Sequence, residues 1–184
     1  MMQVEDSEIL EKFAGESTRD QAFNLLLTKY QQKIYWHIRR LVIDHDDTDD
    51  LVQEVFIKVW KNLANFRNDS QLYTWLYRIA TNESITFLNR KKQKNNISLD
   101  EAGCRELAET LADSPYFDGD KAQMKLQKAL LTLPEKQRLV FNMKYFDDLK
   151  YEEISTILGT TVGGLKASFH IAVKKIEDYL LNTD

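Results

Sequence analysis

YEEISTILGTTVGGLKASFHIAVKKI, residues 151–176, carries two helical periods broken by one turn. Ile154 and Leu158 lie four apart on a first helix, and Gly159 suits the left-handed backbone of a helix end. Val162, Leu165, Phe169, Ala172 and Ile176 recur every three or four residues, so at about 100° per residue they share one face. Ala167, His170, Ile171 and Lys174 then point the opposite way, and Thr160 or Thr161 stands where a cap belongs. Two short helices of which the second carries lysines on its outer side make a helix-turn-helix pattern, and that outer face would enter a DNA major groove. An ordinary helical hairpin packed into a core fits the same spacing. Gly163 and Gly164 weaken a helix interior by about 1 kcal/mol each. Near the first turn that cost shrinks, and glycine there lets the backbone approach a phosphate.

The rest of the chain extends the helical reading. Its 184 residues, 43% of them hydrophobic, suffice for one large or two small domains. Only 6 Gly and 2 Pro, little alternation and many three-or-four-residue apolar spacings predict an all-α protein. No segment approaches the roughly 18 consecutive apolar residues of a membrane span, and the N-terminus is acidic and polar where a signal peptide would be basic and then apolar. A cytoplasmic protein without direct membrane insertion is the expectation. The single cysteine, Cys104, excludes an internal disulfide and reads as a loop bystander; 3 His leave no zinc constellation. No metal and no cofactor are expected.

A net charge of -4 is awkward for a free DNA binder, because phosphate contacts need concentrated Lys and Arg. The charge is uneven. Arg90, Lys91, Lys92 and Lys94 form a basic run, whereas residues 101–120 hold Glu101, Glu106, Glu109, Asp113, Asp118 and Asp120 against Arg105 alone. Such a chain binds DNA weakly by itself and acts beside a partner.

Upstream, residues 8–43 read as helices, with Ala22, Phe23, Leu26, Leu27, Tyr30, Ile34, Ile38, Leu41 and Val42 keeping one stripe apolar. Trp36 and His37 read as core or boundary residues, not ligands. A turn follows at residues 44–50, DHDDTDD, whose carboxylates favour the positive end of the next helix. A calcium loop starting at Asp44 fails, since its sixth position is Asp49 instead of Gly and its twelfth Val55 instead of Glu. The next helix is expected from about Asp50 to Leu63, with Leu51, Val52, Val55, Phe56, Val59, Trp60 and Leu63 inward and Gln53, Glu54, Lys58 and Lys61 outside or at the edge. After a polar hinge at residues 65–71, Leu72, Leu76, Ile79 and Phe87 stripe a helix reaching about Lys91. On it Arg78 and Asn82, four apart, share a face bordered by Trp75. Two readings stand: a face that stacks and reads single-stranded bases, or a core Trp75 beside a solvated Arg78. Periodicity fades from Asn95 to about Asp120, a linker punctuated by Pro115 and Gly119. Met124, Leu126, Ala129, Leu130 and Leu133, then Pro134 at a helix start, then Leu139, Val140, Met143 and Tyr145 build a second helical unit. The expected organisation is a helical domain at 1–95, an acidic linker at 96–120, and a second helical domain at 121–184 containing the helix-turn-helix.

Three blocks carry a resemblance. DTDDLVQEVFIKVWKNLANF (47–66), YTWLYRIATNESITFLNRKKQ (73–93) and LTLPEKQRLVFNMKYFDDLKYEEISTILGTTVGGLKASFHIAVKKI (131–176) are similar to the small two-domain sigma factors of bacterial RNA polymerase, the extracytoplasmic-function (ECF) group of the sigma-70 family. The resemblance spans about residues 20 to 180. It implies a first domain that binds the polymerase clamp and the minus-ten promoter element, and a second that reads the minus-35 element. Asp50, Gln53 and Glu54 match positions engaging a coiled coil of the polymerase's largest subunit. Tyr73, Trp75, Arg78 and Asn82, with the loop from Asn68, match the segment that holds the melted minus-ten strand, where a base leaves the stack. Thr161, Lys166, Ala167, His170, Ile171 and Lys174 match the minus-35 surface, and the acidic linker matches a connector threading toward the RNA exit path. The family also implies an anti-sigma factor masking the two domains. The chain departs from the pattern in its recognition helix, where Lys166-Ala167-Ser168 and His170-Ile171-Ala172-Val173 lack several arginines. Arginine pairs best with guanine, whereas Ile171 suits a thymine methyl. A minus-35 element less dependent on guanine, read through Lys166, His170 and Lys174, is the expectation.

Other functions fit less well. A stand-alone repressor or activator would need a dimer interface and a basic surface. An enzyme would need titratable groups gathered in a pocket, and the aspartates at 46–50 have no partner His, nucleophile or phosphate-cradling glycine loop.

Overall fold

The computed structural model describes residues 4–95 and 121–182, without the side chains of 94, 95 and 121–124. The predicted acidic linker and Cys104 lie outside the described residues, as does the side chain of Met124. Among the described residues every element is helical, as the composition predicts. The chain divides into two compact units, Met1–Ile85 and Thr86–Asp184.

In the first unit, α1 (Asp6–Ala14), α2 (Arg19–Val42) and α3 (His45–Asn62) are followed by a 3-10 turn (Leu63–Asn65) and by α4 (Leu72–Asn95), which runs on past Ile85. Its core joins Ile9 and Phe13 of α1 to Leu26, Tyr30, Ile34 and Ile38 of α2 and to Leu51, Val55 and Val59 of α3. Each set recurs at helical spacing, so one stripe per helix is removed from water. The α1 helix is also tied electrostatically. The Asp6 carboxylate accepts from the Tyr30 hydroxyl at 2.7 and 2.8 Å and from Lys29 Nζ at 2.7 Å. Burial, and then the adjacent Asp6 carboxylate, push the Tyr30 phenol upward from its ordinary value of 10.0.

The third helix begins five residues before its expected start at Asp50. Asp44 is its cap, its carboxylate accepting the Asp47 amide at 2.9 Å, so the acidic run forms the first helical turn and lies at the positive end of the helix dipole. Just before it, Ile43 has φ 71 yet is buried. A β-branched residue in that region is strained, and burial of its side chain offsets the strain. Trp60 departs from the expected inward stripe. It is partly exposed, with its ring edge-on to Phe13 at 5.4 Å and to Phe23 at 5.0 Å. Trp36 is exposed while His37 is wholly buried.

The second unit contains α5 (Lys121–Leu131), α6 (Glu135–Tyr145), α7 (Tyr151–Leu158) and α8 (Val162–Asn182). Pro134 precedes the first residue of α6, where its fixed backbone suits a helix start. Ala129, Leu130, Leu133, Phe141, Ala172 and Ile176 form one buried cluster, against which Phe169 packs. Phe169 stacks on Phe141 at 5.6 Å with 15° between the planes. Tyr145, expected among the apolar positions, is 60% exposed and stacks on the outer side of Phe141 at 5.1 Å.

Two outcomes test these contacts. Above pH 10 an unfolded chain loses its phenol protons while the folded chain keeps that of Tyr30, so the folded state binds more protons and stability falls as pH rises. Tyr30→Phe is expected to flatten that decline by up to about 1.4 kcal/mol per pH unit in urea titrations, at a cost of about 1–2 kcal/mol near neutrality. Equal slopes would count against a buried, protonated Tyr30. Gly159 has φ 63 and open space around an added Cβ. Gly159→Ala should therefore lose about 1–2 kcal/mol from backbone strain alone, read as a lowered unfolding midpoint of the second unit.

Candidate nucleic-acid interface

The turn between α7 and α8 is built as the sequence predicts. Gly159 adopts φ 63, ψ 30 and its amide donates to Ser155 O at 2.9 Å, closing α7. Ser155 Oγ donates to Thr160 O at 2.6 Å, holding the turn against the helix it leaves. Of the two candidate caps Thr161 serves: its Oγ1 accepts the Gly164 amide at 3.2 Å. At the other end of α7, Glu153 reaches back to accept the Lys150 amide at 2.7 Å.

Burial of Leu165, Ala172 and Ile176, with Val162 and Phe169 half-buried, sets the rotation of α8. Ala167, His170, Ile171 and Lys174 consequently face solvent, Ile171 at 45% exposure. Gly163 joins them on the same face, where an added Cβ would meet nothing within 4 Å, and leaves bare backbone at that face's N-terminal end. Lys166 is exposed too, but lies about a quarter-turn away by helical angle. Its Nζ sits 5.7 Å from the centre of the Tyr151 ring on α7. Lys144 of α6 reaches the same ring at 5.6 Å, and neither Lys144 nor Tyr151 was singled out by sequence spacing. Periodicity finds the faces of one helix at a time and cannot bring residues 144, 151 and 166 together.

On α3 of the first unit, Asp50, Gln53 and Glu54 are all exposed on one face. Ile57, 54% exposed, lies among them, with Lys61 beyond. An apolar centre with a polar surround resembles the anatomy of protein interfaces. The signal for Ile57 was available: at helical spacing it falls opposite Val55 and Val59.

On α4, Trp75, Arg78 and Asn82 share one face, whereas Tyr73 lies close to half a turn around the helix. Arg78 and Asn82 are exposed. Trp75 is neither core nor free: it is half-buried with its ring 5.3 Å from Phe66 of the preceding loop. The buried side of α4 is partly polar. Thr74, Thr81 and Ser84 are all buried, Thr81 Oγ1 meets His37 Nε2 at 2.9 Å, and Glu83 pairs with Lys58 of α3.

Among the described residues no cluster of His, Cys, Asp or Glu could hold a metal ion, and no helix is long and apolar enough to cross a membrane.

An all-helical chain whose second unit presents a capped helix-turn-helix with an exposed second helix is a DNA-binding protein of the helix-turn-helix class. Comparison with known proteins carries this further. Residues 26–94 match Sigma-70 region 2 and residues 123–176 match Sigma-70, region 4. The chain is 33% identical over 187 residues to the RNA polymerase sigma-H factor of Pseudomonas aeruginosa, covering 98% of this chain and 96% of that one. It is 33% identical over 164 residues to the ECF RNA polymerase sigma-E factor of Escherichia coli, covering 85% of each. In fold it is similar to the sigma factor RpoE of Bartonella quintana, solved in complex with the anti-sigma factor NepR (TM-score 0.73, 21% identity, 89% of this chain and 99% of that one). It is similar likewise to CnrH, solved with the cytosolic domain of CnrY (TM-score 0.69, 21% identity, 97% and 99%). The chain belongs to the sigma-70 family, as an ECF-type RNA polymerase sigma factor. It directs core polymerase to promoter DNA for transcription initiation.

Proposed function

We propose that residues 1–95 and 121–184 are the two working domains of this sigma factor, joined by the acidic segment 96–120, and that each binds a different part of the initiation complex. Asp50, Gln53 and Glu54 engage the polymerase around Ile57. Trp75, Arg78 and Asn82 hold the melted minus-ten strand on one face of α4, Trp75 and Arg78 by stacking and charge, while Tyr73, close to half a turn around the helix, stands outside that face. Thr161, Ala167, His170, Ile171 and Lys174, with Lys166 beside them, form the minus-35 surface. The protein has no chemistry of its own: it selects promoters for the polymerase's active site and works in the cytoplasm, where its template lies. An anti-sigma partner covering these surfaces belongs to the same reading, supported by the two complexes in which the similar RpoE and CnrH were solved.

The observation that carries the reading is the exposed row on α3. Leu51, Val52, Val55, Phe56 and Val59 of the same helix are all buried, which turns the acids, the amide and Ile57 outward together. Charge reversal there should break docking without touching the core.

Run-off transcription with core polymerase on a genomic library tests it. Glu54→Arg is expected to reduce transcripts about tenfold or more while the unfolding midpoint stays unchanged. Undiminished transcription would remove α3 from the polymerase interface. For the second domain, Ile171→Arg should shift selected minus-35 sequences toward guanine, by about 1–3 kcal/mol of discrimination. Binding-site selection with polymerase present that returns the same guanine preference before and after the substitution would overturn that assignment.

A further inference from the structure

Glu83 is the single acidic residue in the sequence of α4, a helix that otherwise carries Arg78, Arg90, Lys91, Lys92 and Lys94. It follows Asn82 directly, about 100° around the helix, so its carboxylate stands beside the exposed row of Trp75, Arg78 and Asn82. Its own helix offers no counter-charge at pairing distance, since the positions one turn away are Ile79, Ala80, Thr86 and Phe87. The counter-charge comes from α3. Lys58 Nζ donates to the Glu83 carboxylate from the neighbouring helix, Lys58 being exposed and Glu83 half-buried.

On α3, Lys58 follows Glu54 by four residues, the order in which a glutamate and a lysine pair well along one helix, yet its ammonium lies with Glu83. Ion pairs this close to solvent contribute little to stability, so the reach to α4 matters for the charge it cancels more than for holding two helices together. Neighbouring side chains on a helix lie within about one Debye length, roughly 8–10 Å in moderate salt. A bare carboxylate at Glu83 would therefore repel the phosphates of a strand laid along Trp75, Arg78 and Asn82.

Resting on the reading of α4 as the helix that holds the melted minus-ten strand, we propose that Lys58 and Glu83 are a positioning pair for that strand. Lys58, from the helix read as the polymerase face, cancels the negative charge of α4, so the exposed row meets the strand's phosphates with the Arg78 charge unopposed. Neither residue of the pair reads a base.

Full-length protein assembled with core RNA polymerase, titrated onto a promoter fragment whose minus-ten segment is single-stranded, tests the pair, with affinity for core and the unfolding midpoint measured beside it. Lys58→Gln should weaken DNA binding about fivefold at about 50 mM salt and about twofold at about 200 mM, because screening shortens the reach of the bared carboxylate. Glu83→Gln should bind at least as tightly as wild type, and the double variant Lys58→Gln, Glu83→Gln should regain wild-type affinity. A plain staple between α3 and α4 would lose affinity from either substitution and recover nothing in the double variant, and that pattern overturns the proposal. A loss in Lys58→Gln that persists in the double variant overturns it too, making Lys58 itself a contact for DNA or polymerase. The underlying reading is checked apart from this: if Arg78→Ala leaves affinity for the single-stranded segment unchanged, α4 does not hold the strand.

Discussion

The ring stack of Phe169 on Phe141, 5.6 Å apart and nearly parallel, fixes the rotation of α8, and the exposed face that carries His170 and Ile171 depends on that rotation. His170 and Ile171 follow Phe169 directly, so any roll of the helix that freed the phenylalanine would carry both out of register. Stacked aromatic pairs contribute about 0.5–1.5 kcal/mol beyond the area they bury. Leu165, Ala172 and Ile176 bury on the same side and turn the preference into a single orientation. The turn before α8 is fixed separately, by the left-handed Gly159 and the Thr161 cap, so tilt and rotation of the helix have different sources.

Electrostatics explains why such a surface belongs to a subunit of a larger machine. The chain carries -4 overall, and α8's outward face offers His170, Ile171 and Lys174 where arginines would strengthen duplex binding. Non-specific affinity follows the number of phosphates neutralised. A protein that contributes few such contacts per domain gains promoter affinity when two domains are held on one DNA, since the second binding event becomes intramolecular.

Legibility in the sequence followed how each residue is satisfied. The outward and inward faces of α8 could be read at once, because five spaced apolar residues bury by volume, and volume is what periodicity records. The family was legible from the order of three blocks. Trp60 and Tyr145 depart from the inward positions that spacing gives them because an aromatic ring can pack on its neighbours while staying partly exposed, Trp60 edge-on to Phe13 and Phe23 and Tyr145 stacked on Phe141. The start of α3 was misplaced because a run of aspartates reads as a turn, and only the Asp44 side chain closing on the Asp47 amide makes it a helix start. The meeting of Lys144, Tyr151 and Lys166 was not legible at all, for it depends on how three helices pack.

The fourth helix shows the same limit in its buried side. The expected stripe ran through Leu72, Leu76, Ile79 and Phe87, yet Thr74, Thr81 and Ser84 are among its most buried residues. Thr81 and Ser84 donate to the carbonyls four residues back, at 2.7 and 2.8 Å, and so enter the core without an orphaned hydrogen. Since the Tyr77 carbonyl can only accept, the Thr81 hydroxyl hydrogen is committed to it, and the contact with His37 must be donated from Nε2. The imidazole's tautomer follows from a backbone carbonyl on another helix. Hydrogen bonds are directional where apolar contacts are not, so α4 is held against α2 by angle as well as by volume. Asn82 is the next residue after Thr81, and Arg78 precedes Thr81 by three. The exposed face of α4 is therefore aimed by a buried histidine that never reaches the surface.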